Sequence, residues 1–167
     1  MKKTKKLVFL YVNSNCGKTT ILKILICMLL NLKSPHIVSI DYPKNSLRIT
    51  TLLSAWRNNS KLPNGDFSVV LNIDDVIVGI RTMGDTIGSV WDSVVFFENH
   101  NCDIGVLACH ADHLKRSGNC LTNGWKTEKI IKVKNIDPTS IDQENRNVAE
   151  NLFDKVMDAI NQVKQTQ

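Results

Sequence analysis

Apolar positions along this chain follow two alternating patterns. Short continuous apolar runs of strand length alternate with longer stretches in which apolar residues recur every three or four positions, as on one face of a helix. The first run, Leu7–Val12, is rich in β-branched and aromatic residues, which is typical of a strand buried on both faces. The patterns predict strands over Leu7–Val12, His36–Asp41, Phe67–Ile73, Val76–Arg81, Asp103–Cys109 and Lys129–Val133, and helices over Lys18–Asn31, Ser46–Arg57, Thr86–Asn99 and Ser140–Val163.

This alternation of strands and helices predicts the α/β fold class. We expect a three-layer α-β-α arrangement in which a mostly parallel sheet of about five strands is covered by helices. Only Asp74-Asp75 separates two of the apolar runs, so an antiparallel hairpin is predicted over Phe67–Arg81. The polar stretch Asn58–Asp66 is predicted to be a loop. No repeat or low-complexity linker divides the chain, so residues 1–167 are expected to form a single domain.

Composition narrows the class of protein. With 43% hydrophobic and 22% charged residues, the chain has the composition of a globular domain. The net charge is +5, but Lys2, Lys3, Lys5 and Lys6 supply four of the positive charges, which disfavours a basic face for nucleic acid. Five scattered cysteines predict reduced thiols in a cytoplasmic protein, and no apolar run is long enough to predict a membrane span.

A Gly-Lys-Thr sequence stands between the first predicted strand and the first predicted helix. Glycine at position 17 allows the backbone to pass close to phosphate oxygens, and the Lys18 ammonium can reach β- and γ-phosphates. The hydroxyl of Thr19 can bind Mg²⁺. A helix start in which the glycine only ends the preceding loop is the alternative.

The segment Val12–Thr19 resembles the Walker A motif of the P-loop NTPase superfamily, G-x-x-x-x-G-K-[ST]. It departs from the motif at Val12, which replaces the first glycine and disfavours fast turnover. The resemblance implies a P-loop after strand 1 in which Lys18 is catalytic and Thr19 binds the metal. The nucleotide-binding residues that it implies are Asn13, Ser14, Asn15, Cys16, Gly17, Lys18, Thr19 and Thr20.

A P-loop enzyme also needs a carboxylate near Mg²⁺, at the carboxyl end of a strand beside the first. Asp41 ends a predicted strand and is expected to bind Mg²⁺, and Asp85 follows another; both are candidate catalytic residues. Asp85 could instead cap the next helix. The segment Asp41–Asn45 is similar to the second-strand region of chromosome-partitioning P-loop ATPases. Asn13 stands where those proteins have a second lysine, so their dimeric mechanism is not carried over.

Further residues are candidates for contacts with the γ-phosphate or with an acceptor. The sequence Arg81-x-x-Gly84 lies where P-loop GTPases have a D-x-x-G turn. This resemblance implies that the Gly84 amide contacts the γ-phosphate, and Arg81 is a candidate phosphate clamp. Lys115 and Arg116 lie where P-loop kinases have a basic lid. The nearby Cys109–His113 cluster contains zinc-ligand types, but its irregular spacing favours a polar loop over the nucleotide or an ordinary surface loop.

Base selection and reaction type stay open. The chain has no Asn-Lys-x-Asp guanine reader, so ATP with Mg²⁺ is expected and GTP is not excluded. The first hypothesis is ATP hydrolysis coupled to a conformational or partner switch, with a protein partner or a dimer as its target. The alternatives are a small-molecule or nucleotide kinase and a catalytically inactive nucleotide- or partner-binding module.

Overall fold

The computed structural model describes residues 5–12, 17–42, 47–83, 87–110, 124–132 and 139–166. Six strands and four helices lie within these residues. In chain order they are β1 (Lys5–Val12), α1 (Lys18–Leu30), β2 (Pro35–Asp41), α2 (Ile49–Arg57), β3 (Ser68–Ile73), β4 (Val76–Arg81), α3 (Ile87–Asn99), β5 (Ile104–Cys109), β6 (Trp125–Lys132) and α4 (Ile141–Gln165).

The structure confirms the α/β class and overlaps every predicted helix and strand. The boundary of β6 differs most, because this strand begins at Trp125, four residues before the predicted start at Lys129. Trp125 is buried, whereas Lys126 and Thr127 are exposed, so the start of this strand contains no apolar run for the pattern to detect. None of the described helices has the length and apolar character that a bilayer span requires.

All six strands pair in one mixed sheet, with the order β2-β3-β4-β5-β1-β6. The neighbouring pairs β4–β5, β5–β1 and β1–β6 are parallel, whereas β3 runs antiparallel to β2 and to β4. The predicted β3–β4 hairpin is confirmed, and Asp74 and Asp75 in its turn both have positive φ angles, of 51° and 67°. As a result, β1 is an interior strand of the sheet, and β2 lies at one edge of it.

The two faces of the sheet contact different helices. One buried cluster joins side chains of α1, α2 and α4 to one set of strand residues, which includes Val8, Leu10 and Ala108. A second cluster joins α3 to the alternate strand residues, which include Phe9 and Cys109. Residues 7–10 of β1 are all fully buried, as predicted for a strand that is covered on both faces.

Two glycines make room for Phe97, the buried ring with which α3 contacts the sheet. Gly79 of β4 and Gly105 of β5 are neighbours in the strand register. A Cβ atom on Gly105 would lie 2.6 Å from Phe97 Cε2 and 2.8 Å from Leu7 Cδ2, and one on Gly79 would lie 2.6 Å from Phe97 Cδ1. The absence of side chains at both positions therefore lets α3 pack closely on the sheet.

Gly105→Ala is expected to destabilise the fold by about 1–3 kcal/mol, because the added methyl group overpacks a core in which Phe97 and Leu7 are fully buried. Urea unfolding measures the change. The matched control is Gly88→Ala near the exposed start of α3, which should leave stability unchanged or raise it by up to about 1 kcal/mol. Equal stabilities for the two variants would contradict this account of the packing.

Candidate phosphate-binding site

The first residues of α1 follow β1 at the carboxyl edge of the sheet. Gly17 precedes the helix in the left-handed conformation, with φ 79° and ψ 23°, and its carbonyl accepts the hydrogen bond from the amide of Ile21 at 2.9 Å. A Cβ atom at position 17 would lie 2.7 Å from Oδ1 of the buried Asn145 in α4. Both the backbone conformation and the contact with α4 therefore favour glycine.

The amino-terminal end of α1 is suited to an anion. Gly17 provides no side-chain cap, and the first turn contains no acidic residue. The first amide groups of a helix lack partners within it, and they carry the positive end of the helix dipole. An anion such as a phosphate could accept hydrogen bonds from these groups.

Lys18 is the first residue of α1 and places a cation at the same end of the helix. Its side chain is partly buried, and its Nζ atom lies 3.2 Å from Nε2 of His110. The two residues are 92 positions apart in the chain. This contact brings the predicted phosphate-binding lysine against the start of the Cys109–His113 cluster.

His110 directly follows β5, the parallel neighbour of β1. In the register of the two strands Cys109 pairs with Tyr11, so His110 lies level with the end of β1. Side chains alternate along a strand, and Cys109 belongs to the cluster on the α3 face. His110 accordingly lies on the α1 side, where it meets Lys18.

Asp41 lies far from this pair. It ends β2, which is four strands from β1 in the sheet, a separation of about 19 Å at about 4.8 Å per strand. Its side chain is exposed. The structure therefore does not bring Asp41 and Lys18 together, and the metal-binding role of Asp41 stays a prediction.

Asp41 instead belongs to a polar row that crosses three strands. Asp41 pairs with Ser68 of β3, and Ser68 pairs with Arg81 of β4. The Arg81 guanidinium lies 5.4 Å from the centre of the Phe96 ring, so the row faces α3 rather than α1. Arg81 is consequently on the opposite face of the sheet from the contact between Lys18 and His110.

The polar row includes two buried groups without hydrogen-bond partners in the described structure, Ser68 Oγ and Arg81 Nε. Burial lowers the pKa of Arg81, and the carboxylates of Asp92 and Asp41 oppose that shift. Buried polar atoms without partners are uncommon in folded proteins. The row could therefore bind a small anion or water through these donors.

Several predicted site residues lie outside the described residues, so their predicted roles are unaffected. Among the parts of the chain that are described, no group of three or more metal-ligand side chains was found, and Cys109 and His110 face opposite sides of the sheet. The residues outside the description are Asn13, Ser14, Asn15, Cys16, Gly84, Asp85, His113, Lys115 and Arg116.

Sequence reasoning did not select Asn145, and it did not predict the contact between His110 and Lys18. His110 enters the sequence argument within the Cys109–His113 cluster, as part of a polar loop over the nucleotide or of an ordinary surface loop. Its contact with Lys18 follows from the order of the strands, which the apolar pattern does not reveal. Asn145 is a polar residue on the buried side of α4, and that departure from the helical pattern was the available signal.

Comparisons with known proteins do not suggest a function for this chain. No protein-family model, curated protein or solved structure matches the chain. Function must therefore be inferred from the chemistry of Gly17, Lys18, His110 and their neighbours.

Proposed function

We propose that this chain is a P-loop protein that binds ATP through its phosphates, with Mg²⁺, and hydrolyses it slowly as a conformational or partner switch. The proposal includes a three-layer α-β-α fold with the phosphate-binding loop between β1 and α1. One observation carries it. A helix that begins after a left-handed glycine, which offers no side-chain cap, follows an interior parallel strand, and the first helical residue is a lysine.

The local chemistry supports phosphate binding. The amide groups of the first turn and the Lys18 ammonium all present positive charge at one end of α1, and the first turn has no carboxylate to oppose it. A triphosphate would therefore be held by several hydrogen bonds from backbone and side chain together. Asn145 would keep the backbone of Gly17 in the conformation that directs it toward the ligand.

The first turn also offers a ligand for the metal. Mg²⁺ is commonly held by one or two protein groups together with phosphate oxygens and water, and the hydroxyl of Thr19 is the protein group proposed here. Bound Mg²⁺ would neutralise charge on the phosphates. In hydrolysis, water would form a bond to the γ-phosphorus while the bond to the β–γ bridging oxygen breaks, which yields ADP, phosphate and a proton. With Asp41 on a distant strand, we expect this reaction to be slow.

A kinase is the second candidate, and the polar row of Asp41, Ser68 and Arg81 favours it. Buried donors without partners are suited to an anionic group on an acceptor molecule. An acceptor that accelerated ADP formation above the rate of hydrolysis would favour this function over a switch.

Lys18→Ala is expected to weaken ATP binding by about 10- to 100-fold, because a charge-assisted hydrogen bond contributes about 1.5–3 kcal/mol. Calorimetry with ATP and Mg²⁺ measures the affinity, and ADP release measures turnover. Lys33→Ala removes the same charge from an exposed position beyond α1 and should bind as the wild type does. Unchanged binding and turnover in Lys18→Ala would refute the proposal.

Thr19→Val is expected to reduce the gain in ATP affinity that Mg²⁺ provides, because valine keeps the shape of threonine but lacks the hydroxyl. The measurement compares ATP binding with Mg²⁺ and with EDTA in the same variant. Thr51→Val, at an exposed position in α2, is the matched control. An undiminished Mg²⁺ effect in Thr19→Val would exclude this hydroxyl as the metal ligand.

A further inference from the structure

The contact between Lys18 and His110 restricts the form of the imidazole that can make this hydrogen bond. A lysine ammonium has only donors, so Nε2 of His110, 3.2 Å away, must accept the hydrogen bond with its lone pair. This hydrogen bond therefore corresponds to the neutral ring with its proton on Nδ1. A second positive charge at this distance from Lys18 would be repelled.

The same contact places His110 beside the predicted phosphate position. Lysine in a P-loop reaches the β- and γ-phosphates. An imidazole nitrogen one hydrogen bond from that ammonium lies within reach of the same oxygen atoms. ATP with one bound Mg²⁺ keeps a net charge of about −2, which would outweigh the charge of Lys18 and would favour the imidazolium.

Building on the nucleotide binding proposed above, we propose that His110 binds the β- or γ-phosphate oxygens of a nucleoside triphosphate. When the ligand binds, Nε2 takes up a proton from solvent, and the resulting N–H donates to a phosphate oxygen. In this position a P-loop enzyme would have a carboxylate near the metal, and this chain has a group that becomes a cation instead.

The charged groups around His110 are compatible with protonation of the ring when the ligand binds. Lys18 is the charged side chain of α1 in contact with the ring. Tyr11, Cys109 and Arg81 belong to the α3 face, on the opposite side of the sheet. From α4 the residue beside Gly17 at this site is Asn145, which is uncharged.

The direction of the pH dependence follows from linkage. If the complex holds one proton more than the separated molecules, binding tightens as the pH falls. An ordinary imidazole is mostly neutral above about pH 6.5, so the effect should extend from there to about pH 8. Over that range we expect wild-type affinity for ATP to fall about tenfold relative to a variant without a titrating ring, since tenfold corresponds to one pKa unit.

The variant His110→Gln removes the group that takes up the proton and keeps a hydrogen-bond acceptor for Lys18. Its amide oxygen can accept the hydrogen bond from Lys18 near the position of Nε2, but the side chain cannot become a cation. His36→Gln, at an exposed position on β2, is the matched control. Any proton that ATP itself gains or loses is common to all variants and cancels in the comparison.

Calorimetry of ATP binding in PIPES and in Tris, whose ionisation enthalpies differ, gives the number of protons taken up. At pH 7.5 the wild type and His36→Gln should take up about half to one proton more per ATP than His110→Gln. Equal uptake in wild type and His110→Gln would overturn this inference and leave nucleotide binding intact. A wild type that does not bind ATP would overturn both proposals.

Imidazole nitrogen NMR of the wild type tests the same point without depending on the folding of His110→Gln. The chain has four histidines, and glutamine variants of His36, His100 and His113 assign the remaining signal to His110. At pH 7.5 the ring should carry a proton only on Nδ1 in the free protein and on both nitrogens with ATP. A ring that stays singly protonated with ATP bound would overturn the inference.

Discussion

The parallel pairing of β1 with β5 is the constraint on which the candidate site depends. Parallel strands end at the same edge of a sheet, so the helix start after β1 and the residue after β5 must be neighbours. That geometry brings Lys18 and His110 into contact although 92 positions separate them. It also decides which side chain lies beside Lys18, because an imidazole rather than a carboxylate follows the neighbouring strand.

Strand burial explains how much of the fold could be predicted. β1 and β5 are covered on both faces, so their apolar runs were visible in the sequence, and their limits were predicted to within two residues. The start of β6 was missed because exposed polar residues follow Trp125 there. Local patterns detect burial, and the exposed start of an edge strand gives them little to detect.

Strand order explains what could not be predicted about the site. Asp41 matches the local pattern of an apolar run that ends in an acid, and this pattern made it a candidate for the metal. The pattern contains no information about which strand pairs with β1, and β2 lies four strands away. Gly17 and Lys18 could be selected without the strand order, because a loop and the helix after it are neighbours in sequence as well as in space.

The two polar regions at this end of the sheet face different helices. The contact between Lys18 and His110 lies on the α1 side, and Arg81 with Ser68 lies on the α3 side. A single ligand could reach both only by passing over the strand ends. The fold therefore places the proposed nucleotide phosphates and the polar row on opposite faces of the sheet, and an acceptor held at the row would have to extend over the strand ends to meet the γ-phosphate.

The slot that Gly79 and Gly105 form for Phe97 limits how this sequence can vary. A side chain at either glycine conflicts with the ring, and a smaller residue at 97 with both glycines kept leaves a cavity that costs up to about 3–5 kcal/mol. Each single substitution at these three positions is therefore unfavourable, whereas a larger residue at 79 or 105 together with a smaller one at 97 conserves the packed volume. In the evolution of this chain the three positions should consequently covary, with side chains at 79 or 105 accompanied by a smaller residue at 97.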